Sequence, residues 1–253
     1  MDEWGEGDYG RTAEQLAPAA EAAVTAAGVA SGQRVLDVGC GTGNVAMEAA
    51  ARGAQVTAVE PSVALIEQAE ERLRAAGFDA RFVAATAEGM EVEDRAYDAV
   101  LSVFAVIFSQ DPAEAVRRMA RCARPGGVLV IASWTDDGPI ARLGEILRDA
   151  LPAQEAPRAR WHDEEWIGRV VEDAGASSPR TERRFISMRG ESPEALFAEL
   201  EEHHPAWRAA RRNLHCGLWQ EVRDRTIALF HDANEDPAAL LITSPYLLTR
   251  ATA

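Results

Sequence analysis

Lysine is absent. All 26 basic residues are arginine, and against 41 acidic residues they leave a formal net charge of −15. Proteins that grip a nucleic-acid backbone or an anionic bilayer do so through a basic face, so the acidic excess argues against both kinds of partner. Cysteine is scarce. Cys40, Cys122 and Cys216 lie far apart and are odd in number, with neither metal-ligand spacing nor the pattern of a disulfide framework. The spacing of histidines and aspartates likewise suggests no metal centre. Long apolar runs are missing too, since none approaches the roughly 18–20 residues of a membrane span. The opening MDEWGEGDYG is acidic and lacks the apolar core of a secretory leader. A cytoplasmic protein with no membrane or nucleic-acid partner is the expectation; the oligomeric state stays open.

What remains is a globular composition, with 47% hydrophobic and 26% charged residues over 253 positions. That length suits one large domain, and burial of about 70–75% of the unfolded surface makes disulfide or metal staples unnecessary. The first half alternates strand and helix signals. Residues 12–28 repeat apolar positions on a helical period, 34–39 (RVLDVG) read as a buried strand, and 43–52 as a helix. Strands follow at 55–60, 80–85, within 96–106 and at 128–133. Helices are opened by Pro61-Ser62 and by Asp111-Pro112, and Pro125-Gly126-Gly127 makes a turn before the fifth strand. Such alternation implies a parallel sheet with helices on both faces, a doubly wound α/β fold. Beyond Trp134 the pattern changes to helices at 140–151, 163–174, 192–202 and 206–232, with strands at 180–189 and 239–250. Pro245 inside the last strand favours an edge or a bulge, or, in an inner strand, a place beyond the paired segment.

The most informative stretch is Val35-Leu36-Asp37-Val38-Gly39-Cys40-Gly41-Thr42-Gly43-Asn44, which closes the first strand and opens a helix. Glycines there let a ligand approach the backbone and free N–H groups at a helix start. Asn44 stands where a dinucleotide fingerprint has its third glycine, and Asp37 would repel a pyrophosphate. Glu60, at the end of the second strand, is placed to accept hydrogen bonds from both hydroxyls of a ribose. Together the two features call for an adenosine-type ligand without a phosphate.

On LDVGCGTGN (36–44), Glu60-Pro61-Ser62 and the RPGG turn at 124–127, the chain resembles the class I S-adenosylmethionine-dependent methyltransferases, in particular their ubiquinone/menaquinone-methyltransferase-like branch (methyltransferase type 11). The resemblance covers about Trp4 to Trp134 well and, beyond that, the order of elements. It implies a seven-stranded, mostly parallel sheet of order 3-2-1-4-5-7-6 within a single domain of residues 1–253. Residues 30–135 would bind S-adenosylmethionine, and helical insertions at 136–161 and 192–232 would cap the substrate. Asp37 would organise the loop and the cofactor's amino group. Gly39, Gly41 and Gly43, with Cys40 and Asn44 among them, would lie under its methionine part. Glu60 would hold the ribose, with Pro61 and Ser62 beside the adenine. Where the family has Asp-Ala-Glu after strand three, this chain has Thr86-Ala87-Glu88, so a hydroxyl replaces the acid that meets the adenine amine. Ser102 and Val103 follow strand four, where cofactor and acceptor meet, and Phe104, Phe108 and Trp134 would face the acceptor. Trp4 and Tyr9 match a segment that closes over the cofactor.

Methyl transfer from a sulfonium relies on alignment more than on a fixed catalytic group, so the motif points to the cofactor and not to the acceptor. Trp4, Trp161, Trp166, Trp207 and Trp219 fall in the divergent segments and suggest an apolar cap over a small, fairly apolar acceptor, such as a secondary metabolite or quinone precursor. His204, with His203 as second candidate, could take a proton from a hydroxyl or amine acceptor; a solvated helix end is the alternative. Two other functions share the fold: a cofactor-binding regulator without turnover, and a nicotinamide-dependent oxidoreductase.

Overall fold

Period-2 alternation sorts the strand side chains onto two faces. In β1 (Arg34–Val38), Val35 belongs to one core and Leu36 and Val38 to the other. In β4 (Tyr97–Val103), Ala99 and Leu101 oppose Val100 in the same way. Both strands are buried on both sides, which is why they read as continuous apolar runs. The computed structural model describes residues 10–151 and 159–253.

The remaining strands are β2 (Gln55–Glu60), β3 (Ala80–Ala84), β5 (Ala123–Trp134), β6 (Ser177–Gly190) and β7 (Leu240–Thr252). They form one seven-stranded sheet in the order β3-β2-β1-β4-β5-β7-β6, with β7 antiparallel to both β5 and β6 and the other neighbours parallel. One face is covered by α1 (Gly10–Ala27) and α2 (Asn44–Ala51), whose small Ala19, Ala20, Ala23, Ala46 and Ala49 let the helices approach the strands closely. The other is covered by α4 (Pro112–Cys122) and α6 (Glu164–Asp173) through Val116, Met119, Ile167 and Val171. Burial of each of the larger chains is worth about 1.5–3 kcal/mol.

Helix starts follow the side-chain oxygens that satisfy their free N–H groups. Asp111 accepts from the Glu114 N–H ahead of Pro112, and Asp163 caps α6 through the Trp166 N–H. Ser62 caps α3 (Val63–Ala75) through the Leu65 N–H, so Pro61 precedes the cap rather than forming the first turn. The Arg124–Gly127 turn is absorbed into β5 as a bulge, where pairing with β4 jumps from Tyr97–Ala123 to Ala99–Val128.

Helices α5 (Pro139–Ala150), α7 (Pro193–His203), α8 (Pro205–Asn213) and α9 (Cys216–Ala233) enclose a core of their own against the far ends of β6 and β7. His215 caps α9 and breaks what the sequence reads as one helical stretch over 206–232. Trp207 and Trp219 fill this core. Trp161 and Trp166 do not belong to it: they pack edge to face at 5.1 Å on the sheet face covered by α4 and α6.

Pro245 is neither in a bulge nor at a sheet edge. It pairs in register with Phe185 of β6, whereas pairing with β5 ends one residue away, at Trp134–Tyr246. In an antiparallel ladder a residue's N–H and C=O point to the same neighbour. The Pro245 carbonyl accepts from Thr135 Oγ1, so its missing N–H falls where β5 has already ended. A Cβ on Gly138 would lie 2.5 Å from Pro245 Cδ. Gly138→Ala should therefore lower stability by about 1–3 kcal/mol through overpacking, read as an earlier urea midpoint at unchanged slope; an unchanged midpoint would contradict this account.

Candidate functional site

The turn between β1 and α2 is held at its β1 end by the strand beside it. The Gly39 and Cys40 N–H groups both donate to the Val59 carbonyl of β2, at 2.7 and 3.0 Å. Gly39 has φ +71°, and a Cβ there would lie 2.2 Å from Ala105 Cβ, so only glycine allows the segment after β4 to cross over the turn. Gly43 caps α2 at φ +87° with no side chain to offer the helix. Asp37, one strand end away, supplies the missing acceptor: its Oδ2 receives the Ala46 N–H at 3.1 Å. Asp37 is 1% exposed. Burial pushes its carboxyl up to about 7, assisted by the negative charge of Glu60 and opposed by the Ala46 N–H.

Glu60 is buried at the end of β2 and joins two segments. Its Oε2 accepts from the Gly41 N–H at 3.0 Å and its Oε1 from the Ser62 N–H at 3.1 Å. Its carboxylate also borders the adjoining space. Arg72 of α3 reaches the same turn from below, donating to the Thr42 carbonyl, Thr42 Oγ1 and Asn44 Oδ1.

These residues wall a cavity of about 570 Å³ outside the carboxyl ends of β1, β2 and β4. The volume falls in the roughly 300–1,000 Å³ range of small-ligand sites, and the position is where open α/β sheets bind ligands. Of the sequence candidates, Asp37, Gly39, Cys40, Gly41, Asn44, Glu60, Pro61, Thr86, Ala87, Glu88, Val103, Phe104 and Phe108 line it. Cys40 is a buried thiol pushed well up by burial and by the charges of Asp37 and Glu60, unsuited to a nucleophile's role. Thr86 Oγ1 accepts from the Gly89 N–H, and Glu88 Oε1 accepts from the Gln110 N–H at 3.0 Å, fixing the segment opposite.

Other candidates act from behind the wall. Gly43 and Ser62 are helix caps. Ser102 Oγ accepts from the Val106 N–H and shapes the crossing segment. Trp134 is stacked on Phe104, with ring centroids 3.7 Å apart and planes within 2°, and this supports Phe104 in a left-handed backbone conformation at φ +55°. Phe108 is 61% exposed at the cavity. Trp4 and Tyr9 lie outside the described residues.

His203 and His204 do not line the cavity, which corrects their assignment as candidate bases. His204 links α7 to α8 and accepts the Ala206 N–H on Nδ1. Burial lowers its pKa to about 4, so its ring is neutral at pH 7 and serves as a helix cap. No described residue of 136–161 or 192–232, the segments expected to cap the substrate, lines the cavity either. Among the residues that sequence reasoning missed are Ala13, Leu16 and Ala20 of α1, Leu65, Ser109 to Asp111, and Arg72. The apolar stripe of α1 was legible, but which end of the sheet it covers was not.

A family profile described as a methyltransferase domain matches residues 36–131. An uncharacterized protein of Mycobacterium tuberculosis is 32% identical over 190 residues, 74% of this chain and 69% of that protein. A demethylmenaquinone methyltransferase of Renibacterium salmoninarum is 31% identical over 172 residues, 61% of this chain and 70% of that one. Among solved structures, the YcgJ protein of Bacillus subtilis superposes with a TM-score of 0.64 at 16% identity, covering 93% of this chain and 97% of the other.

The buried Asp37 carboxyl makes stability depend on pH. Its folded-state value, about 7, lies above the ordinary 3.8. Its contribution is therefore fully present below about pH 4 and is lost as pH rises through about 7. Asp37→Asn keeps an acceptor for the Ala46 N–H and removes the titration. Relative to the parent, this variant should gain stability as pH rises from 4 to 7; parallel pH–stability curves for the two proteins would refute the assignment.

Proposed function

Because the chain belongs to the class I S-adenosylmethionine-dependent methyltransferases, we propose that it methylates a small, fairly apolar acceptor, of quinone-like or secondary-metabolite type, held against Phe104 and Phe108. The observation that carries this reading is that the glycine turn and the Glu60 carboxylate, 3.0 Å apart through the Gly41 N–H, form one wall of the 570 Å³ cavity. The similarity to a demethylmenaquinone methyltransferase supports the quinone-like class. The exposed Phe108 ring and the Leu16 and Ala20 side chains give that cavity apolar surface away from the carboxylates.

The residues present suit S-adenosylmethionine. Glu60 sets its carboxylate at the end of β2, where the ribose hydroxyls would lie, Asp37 lies beside the turn where an ammonium group would fit, and the Ala87 backbone borders the space for the adenine. When bound, this cofactor would supply an activated methyl group carried on a positively charged sulfur. The chain's own part is positional. The turn and Glu60 fix one reactant, and Phe104, braced by Trp134, and Phe108 flank the other, so that proximity and orientation lower the barrier. The apolar side would exclude water, and the Glu60 carboxylate would balance the positive charge before transfer.

Calorimetric titration with S-adenosylhomocysteine, followed by release of that product in the presence of naphthoquinol acceptors, tests the proposal. Binding with micromolar affinity is expected. Glu60→Ala should weaken it by about 1.5–3 kcal/mol, the range for hydrogen bonds to a charged group. Unchanged affinity in that variant would refute the ribose placement. Binding without turnover across quinol, phenol and amine acceptors would favour a regulatory role instead.

A further inference from the structure

Arg72 points its guanidinium not at a carboxylate but at neutral oxygens of the glycine turn. Nη1 donates to the Thr42 carbonyl at 2.5 Å and to Thr42 Oγ1 at 2.9 Å, and both Nη1 and Nη2 reach Asn44 Oδ1 at 3.2 Å. With its Oδ1 taken, Asn44 turns Nδ2 to the Ala13 carbonyl of α1, at 2.6 Å. A single hydrogen-bonded strip therefore runs from α3 through the turn to α1. The turn is also packed on α3 from the same side, since a Cβ on Gly43 would touch Ala69 and Leu73 at 3.1 Å.

The α1 end of this strip lies where the helix is weakest. Pro18 sits inside α1 and has no N–H to give the Glu14 carbonyl four residues back, so the first two turns are joined to the rest by fewer helix bonds. Ala13 lies in that segment and Leu16 follows it, and both line the cavity. The position of this wall is set from outside the helix, by Asn44 and by the Arg189 N–H of β6, which donates to Gln15 Oε1 at 2.8 Å.

We propose that Arg72 and Asn44 are positioning residues that latch the first half of α1 over the glycine turn, so that cofactor affinity depends on the α1 arm as well as on the turn. The proposal rests on the cofactor reading given above. It differs from simple stiffening of the turn, which needs only the Arg72 arm.

Asn44→Asp separates the two. An aspartate keeps, and strengthens by its charge, the bond to Arg72, but has no donor for the Ala13 carbonyl. The latch requires its affinity for S-adenosylhomocysteine to fall about tenfold, with faster amide exchange over residues 10–17 and little change in the global unfolding midpoint. Arg72→Lys, which lacks the fork, should fall between this variant and the parent. Parental affinity and parental exchange over residues 10–17 in Asn44→Asp would overturn the latch. If the parent itself fails to bind S-adenosylhomocysteine, the cofactor reading falls, and the exchange comparison alone decides whether α1 is held through Asn44.

Discussion

Both oxygens of Glu60 are engaged before any ligand arrives. One holds the Gly41 N–H of the glycine turn and the other the Ser62 N–H that leads into α3. This carboxylate ties the ends of β1 and β2 into one surface. A buried acid in that position is stabilised by the backbone donors around it, and it helps in turn to order them. The cavity wall, the start of α3 and the path of the turn all follow from this reciprocal arrangement.

A second acid lies close enough for its electrostatics to depend on the first. Asp37 is driven toward its neutral form by burial and by Glu60, although it receives the N–H that α2 needs from a cap. The pair concentrates negative potential at one end of the cavity, where a cationic ligand would restore the ionised form of Asp37. The chain's overall charge of −15 has no direct part in this. What matters is two carboxyl groups held within a low-dielectric pocket, where charges interact far more strongly than on the surface.

Opposite the acids the site is built from rings and strain. Phe104 adopts a left-handed backbone conformation that a bulky residue rarely takes, and its stack on Trp134 and edge contact with Tyr246 hold it there. The same crossing segment rests on Gly39, so the aromatic side and the glycine turn are mutually dependent. The four helices around Trp207 and Trp219 form a separate core at the far ends of β6 and β7, and their aromatics are internal to it rather than turned toward the cavity.

The order of elements, the glycine turn and the acidic end of β2 were legible in the sequence because each depends on local chemistry: alternating apolar positions, positive φ at glycine, a carboxylate next to a proline and a capping serine. Asp37 was legible for the same reason, being part of the motif. The roles of Arg72, Ala13 and His204 were not. Arg72 and Ala13 meet Asn44 from 28 and 31 residues away in opposite directions, and only the packing of α1 and α3 about the turn brings them together. His204 resembled a candidate base because a histidine after a helix is chemically versatile, yet the adjoining α8 claims its ring as a cap. Pro245 needed tertiary structure as well: whether an interior strand tolerates a missing N–H depends on where the neighbouring strand stops, and β5 stops one residue short of it.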